Sequence, residues 1–207
     1  MHIVRWLIAI AIIAAVCWLF PLFHVVRLKA EKAPAAFNAT DFAETFWTNK
    51  LLSSIDKAVN AGMLVADIQS DPAAAKKKFS RSVGLSDSYF YFVSGAGRVV
   101  AVSDDAILLT VADKGTNADV ALQTGLIFGD ALRDGTGLLD ASSYPNSQDF
   151  NDISAALNHI VETRVLPGLR EQAKIGATIS FSGCAEVDDE SSDLKPLKIV
   201  PIQTKSP

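Results

Sequence analysis

The chain opens on an apolar run: from Ile3 to Val26 the only formally charged side chain is Arg5. A helix over Ile3–Phe20 would rise about 27 Å, close to the ~30 Å hydrocarbon core of a bilayer. The pattern then turns amphipathic. Thr40 or Asp41 can cap a helix in which Phe42, Phe46, Leu51, Ile55 and Val59 recur at helical spacing, with a stop predicted near Gly62. A second short helix is predicted from Asp71-Pro72 through Ala73–Phe79 and ended by Gly84. Its proline falls in the first turn, where the missing N–H costs nothing.

From Tyr89 onward the runs are β-branched or aromatic. Strands are predicted over Tyr89–Ser94, Arg98–Ser103, Ala106–Ala112 and Ala118–Thr124. Their separators, Gly95-Ala96-Gly97, Asp104-Asp105 and Lys114-Gly115-Thr116-Asn117, are short enough for hairpins, which makes this sheet antiparallel. An irregular turn follows from Gly129 to Gly137. A long helix capped at Asn146 or Ser147 then lays Phe150, Ile153, Leu157, Ile160, Val161 and Val165 on one side, with Pro167-Gly168 as its stop. Strands over Gly176–Gly183 and Leu197–Ile202 close the chain, and the acidic segment from Glu186 to Asp193 reads as a solvated loop between them. The predicted class is α+β: a small, partly open antiparallel β-barrel with inserted and flanking helices.

Residues 1–32 are therefore read as a membrane anchor or signal segment and 33–207 as one exported domain, long enough to bury its own core. Two readings of the anchor stay open. A basic start, an apolar core and Cys17 imitate a lipoprotein signal, in which Cys17 would be acylated. Val16 is bulky for the position before such a cysteine, and the apolar run continues past it, as an uncleaved spanning helix would. Arg27, Lys29 and Lys32 outnumber Arg5, so charge alone does not orient the span. Beyond Arg5 the chain has 18 basic and 23 acidic residues, a balance that argues against nucleic-acid binding. Lys76-Lys77-Lys78 with Arg81 is the one basic cluster, read as a solvated helix face or a contact for anionic headgroups. Cys17 and Cys184 are the only cysteines, far apart, so neither an internal disulfide nor a metal-ligand spacing is expected. Cys184 reads as a small buried strand residue.

The order of several motifs carries a resemblance. Trp47, Ser94-Gly95-Ala96-Gly97-Arg98-Val99, Val120–Gly125 running into Gly129-Asp130-Ala131-Leu132-Arg133-Asp134, Phe150-Asn151, and Gly183 with Ile199-Val200-Pro201-Ile202 are similar to an uncharacterised bacterial family of predicted periplasmic lipoproteins. The resemblance implies an exported, anchored domain with an oligonucleotide/oligosaccharide-binding (OB)-like barrel, encoded beside ribose-type sugar ABC transporters. It carries over no catalytic residue.

Catalytic signatures are missing from the residues themselves. Gly95-Ala96-Gly97 lacks the third glycine of a dinucleotide fingerprint, and Ser182 lies in Ser-Gly-Cys rather than in a nucleophile elbow. His2 and His24 fall in the anchor region, and His159 flanks the stripe of the long helix. No cofactor or metal is expected. The constellation singled out is Asp130, Arg133 and Asp134, an arginine between two carboxylates in a glycine-rich turn. It reads as a structural pin held by fork-shaped hydrogen bonds, or as a binding rim for a sugar hydroxyl or a partner protein. The expected function is a non-enzymatic module on the outer face of the cytoplasmic membrane, contacting a sugar transporter or its periplasmic sugar-binding protein. The alternative is a carbohydrate binder or a hydrolase, which would need two carboxylates across a cleft.

Overall fold

The computed structural model describes residues 4–7, 37–84, 86–112, 115–140 and 146–206. The chain divides into two units, Met1–Ala36 and Phe37–Pro207. In the first, residues 4–7 are helical. The predicted span over Ile3–Phe20 and Cys17 lie outside the described residues, among which no helix is long and apolar enough to cross a membrane.

The second unit starts with helix α1, Ala39–Phe46, capped not by Thr40 or Asp41 but by the Asn38 side chain, which accepts from the N–H groups of both, so those two residues lie inside the first turn. The chain continues through a π-helical turn, Trp47–Leu51, and a 3-10 segment, Leu52–Lys57, to a two-residue strand β1, Val59–Asn60. Gly62 does not stop a helix but lies near the start of one: α2, Ala61–Ser70, whose cap is Asn60 accepting from Met63 N–H at 3.1 Å. Leu64 and Ile68, one turn apart, bury its inner face. Helix α3, Pro72–Phe79, has the predicted start, with the Asp71 carboxylate accepting from Ala74 N–H at 3.0 Å. It ends at Ser80, ahead of Gly84, because Arg81–Ser82 extends as β2.

The largest departure from expectation is in β3. Tyr89–Val102 is one 14-residue strand, and Gly95-Ala96-Gly97 is not a hairpin turn. These glycines serve close approach instead. A Cβ on Gly95 would stand 2.8 Å from the Ala61 methyl, where α2 starts against the sheet. One on Gly97 would stand 3.0 Å from both Leu109 Cβ and the Thr110 carbonyl.

The length of β3 lets it serve two neighbours. Tyr89 through Arg98 pair antiparallel with β6, Thr178–Val187, and Arg98 through Val102 pair antiparallel with β4, Ala106–Thr110. β4 pairs antiparallel with β5, Val120–Gln123. β7, Leu197–Lys205, then lies between β5 and β6, parallel to the first and antiparallel to the second. The pairing order β3-β4-β5-β7-β6 returns to β3 as a closed ring. The sheet is thus mixed rather than antiparallel throughout: the chain leaves β5 for a helical excursion and comes back before β7, so β5 and β7 run the same way. β1 is likewise parallel to β3. Strand alternation turns Tyr91, Ile107, Leu109, Leu122, Leu197 and Ile199 into the ring, all essentially buried.

The excursion between β5 and β6 carries the remaining helices. A single turn, α4, Ala131–Asp134, precedes α5, Ser147–Ile160, capped by Asn146 as expected. Pro167 does not end this helix. A π-helical turn, Val161–Val165, leads into α6, Leu166–Gln172, with the proline in its first turn. The wider turn has already broken the regular i→i−4 ladder, so the missing N–H of Pro167 removes little. Ile153, Leu157, Val161, Leu166 and Leu169 from this run join the core.

The acidic segment is also more structured than a solvated loop. β6 extends through buried Val187, and Glu190–Asp193 forms a helical turn, α7, capped by Asp189. Glu190 accepts from Tyr89 Oη at 3.0 Å, while Asp193 accepts from the N–H groups of Asp188 and Asp189 at 3.1 and 2.9 Å and from Lys198 Nζ at 3.0 Å. These bonds are possible because β6 and β7 converge beneath the segment, a tertiary fact with no trace in its local composition. Lys76 is drawn into the same network, 3.9 Å above the Tyr89 ring, so the basic triplet is not a uniformly solvated face.

Candidate functional site

The predicted trio converges. Arg133 is 6% exposed and grips Asp134 with both arms of its fork, Nε to Oδ1 at 2.9 Å and Nη2 to Oδ2 at 2.8 Å. Nη2 also lies 2.9 Å from Asp130 Oδ2, and the guanidinium carbon stands 3.7 Å over the Phe150 ring. Asp130 is tied in turn to α5, accepting from Ser154 Oγ at 2.8 Å. Burial alone would weaken the charge on Arg133, but the two carboxylates outweigh it and hold its pKa above the ordinary value. Neither Asp130 nor Asp134 is a lone carboxylate facing another across a cleft: the same cation lies between them.

A different feature stands immediately upstream. Between β5 and α4, the backbone of residues 124–130 is fastened at five positions, on either side of Leu126 and Phe128. The N–H groups of Thr124 and Gly125 donate to the Asp105 carbonyl at 2.8 and 3.3 Å, and Arg170 donates to the Thr124 carbonyl. Glu162 accepts from Ile127 N–H at 3.0 Å, Asn158 donates to the Gly129 carbonyl at 3.1 Å, and Glu186 accepts from Asp130 N–H at 2.9 Å. Gly129 sits at φ +84, a left-handed conformation that strains any residue with a Cβ, and a Cβ there would also press on the Glu186 carboxylate. Within this fastened loop Ile127 is 4% exposed, whereas its neighbours Leu126 and Phe128 are 74% and 75% exposed. The chain turns one apolar side chain into the core and two outward.

Leu126 and Phe128 border an open recess of about 730 Å³. Its floor is the outer face of the ring at Ala106, Ala121, Gln123 and Lys198, and its walls carry Asp105, Glu186, Asp188 and Asp193. Glu186 has its carboxyl pKa raised, chiefly by burial, with the Asp130 N–H acting against that shift and Asp188, Asp130 and Asp134 adding to it. Asp193 goes the other way: burial opposes its charge, but the N–H groups of Asp189 and Asp188, Lys198 and Ser192 together lower its pKa. Lys198, the one basic side chain in the lining among the described residues, is thereby engaged. Among the described residues no three His, Cys, Asp or Glu side chains are grouped to hold a metal ion. His159 is a surface residue, its ring 4.0 Å from Glu162, and Cys184 is fully buried, its thiol pKa pushed up by that burial.

Asp105, Leu126, Phe128 and Glu186 were not singled out from the sequence. The readable signal was Leu126-Ile127-Phe128 between Gly125 and Gly129, an apolar triplet too short for a strand and set in a turn.

Comparison with known proteins bears on the family and the fold. The model of a family described as predicted periplasmic lipoprotein (DUF2291) matches residues 7–205. The crystal structure of an OB-fold protein from Thermotoga maritima superposes with a TM-score of 0.73 at 24% sequence identity, covering 84% of this chain and 100% of that one. That likeness shows the fold, and the ring order with a helix inserted between its third and fourth strands is consistent with it. No curated protein matches the chain.

Proposed function

The chain belongs to this family of predicted periplasmic lipoproteins, and from that premise we propose that it is a non-enzymatic docking module, held at the membrane by its N-terminal segment and serving a sugar ABC transport system. The observation that carries the reading is the fastened loop 124–130 with Leu126 and Phe128 turned outward. A loop with this many backbone partners does not need exposed apolar side chains for its own stability. Exposed apolar groups on a rigid support are what a protein partner buries, and aromatic anchors of this kind dominate interface energies. The recess lies on the outer face of β4 and β5, the second and third strands of the ring, with their flanking loops, the surface OB folds use for binding. The non-enzymatic reading is supported by Arg133 standing between Asp130 and Asp134, which leaves that pair no free carboxylate couple for hydrolysis. The trio then acts as the brace behind the loop.

The test is co-purification of the tagged, full-length protein from chemically cross-linked membranes, with the bound proteins identified by mass spectrometry. A permease, ATPase or sugar-binding component of a sugar transporter is expected at about tenfold or greater enrichment over an unrelated lipoprotein. No enrichment of any such component would contradict the reading.

A further inference from the structure

From the chemistry of the recess we infer what kind of partner segment enters it: a cationic stretch, rich in Lys or Arg, with an apolar side chain that seats against Leu126 and Phe128. This rests on the docking reading above and goes beyond it by stating the partner's chemistry.

Three observations carry it. The first is hydrogen-bonding polarity. Among the described residues, the side chains that line the recess are acceptors at Asp105, Glu186, Asp188 and Asp193, with donors at Gln123, whose amide oxygen also accepts, and at Lys198, bound to Asp193 at 3.0 Å. Phosphate or a carboxylate only accepts and is repelled by this lining, while a sugar hydroxyl could use its single O–H donor here but brings no charge to offset the carboxylates. Ammonium and guanidinium groups only donate, and they meet a surplus of acceptors here. Among the described residues, no Lys or Arg forms an ion pair with Asp105, Glu186 or Asp188.

The second is topology. β4, β5 and β7, which form the floor, are each paired on both sides, β4 by β3 and β5, β5 by β4 and β7, β7 by β5 and β6. No strand edge is offered to an incoming chain there, so recognition has to run through side chains. The third is size and contour. A recess of about 730 Å³ admits a few side chains, not a globular face, and its border pairs the acidic wall with two apolar side chains about three-quarters exposed. Charge supplies encounter and orientation, and the apolar anchor supplies residence.

The test uses the full-length protein in its own membrane, with a benzophenone amino acid in place of Leu126 and Phe128 left intact. Photolysis should give a protein adduct whose cross-linked peptide carries two or more Lys or Arg side chains beside an apolar residue. Its yield should fall about tenfold or more in Asp105→Lys, and by a smaller factor in the Asp105→Asn/Asp188→Asn double variant, which removes the charge without reversing it. Raising salt from about 0.05 to 0.5 M before photolysis should lower the yield as well, since the partner charges are screened. An adduct on an acidic or neutral peptide, or one indifferent to both variants, would overturn the cationic occupant and leave the docking function standing. Lipid adducts alone would replace the protein partner with the bilayer and overturn the inference. No adduct at position 126 while transporter components still co-purify would place docking elsewhere on the domain. Loss of both adduct and co-purification would overturn the docking reading too.

Discussion

Two consecutive pieces of the link between β5 and α5, the loop residues 125–129 and the residues 130–134 that form α4 and its start, are put to opposite use. The second holds the charges, Asp130, Arg133 and Asp134, and turns them on one another and onto Phe150 and Ser154, with Arg133 and Asp134 buried. The first holds no charge and leaves Leu126 and Phe128 in solvent. Charged groups that satisfy each other have little left to offer a ligand, and breaking such a set is costly because the remaining members stay buried and unpaired. Apolar groups held outward on a fixed backbone are in the reverse situation: they add little to folding and have contact area to give. The charged piece is the brace and the apolar piece is the contact.

The most disruptive way to probe this contrast is Arg133→Ala. It leaves Asp134 buried without its cation and strips Asp130 of its partner, so a loss of about 2–4 kcal/mol is expected by urea denaturation. An unchanged midpoint would mean the charged piece is no brace and would move Arg133 to the binding surface.

A smaller effect sharpens the boundary between the pieces at Glu186, which accepts from Asp130 N–H and also faces the recess. Burial first, and the neighbouring carboxylates after it, keep its proton on to higher pH than in the unfolded chain. Between the two pKa values the folded state binds more proton, so this group's favourable contribution is complete below the unfolded value and is lost as pH rises through the folded one. Glu186→Gln retains an oxygen for the Asp130 N–H and removes that loss. Relative to the parent, the variant should therefore gain stability as pH rises from about 4 to 7, followed by unfolding midpoints across that range. A difference that is flat or falls with pH would show that the carboxylate is needed in its charged form to hold the loop.

Much of this fold is written locally. Asp71-Pro72 and Asn146 cap the helices they were expected to cap, because a side-chain oxygen two or three residues ahead of the N–H it accepts from is a property of the sequence alone. Most of the errors involve a second element; the cap of α1, expected at Thr40 or Asp41 and found at Asn38, is a local one. Gly95 and Gly97 have turn-forming composition, yet they are glycines because Ala61 and Leu109 press against the strand there. Pro167 has stop-signal composition, yet the π-helical turn ahead of it carries the helix on. The acidic segment before β7 looks solvated until Tyr89 and Lys198 are brought to it from other strands. The same division runs through the candidate site. Arg133 with its two carboxylates was legible because charge in a glycine-rich turn is conspicuous, whereas Leu126 and Phe128 were not, because exposure of an apolar side chain depends on where the rest of the chain leaves it.

The measurement that bears most directly on the division between brace and contact is a paired one on Phe128→Ser. The side chain is 75% exposed, so its unfolding midpoint should match the parent's to within about 0.5 kcal/mol. Recovery of transporter components from cross-linked membranes should fall about tenfold or more. Undiminished recovery, or a variant that loses stability together with its partner, would contradict the account.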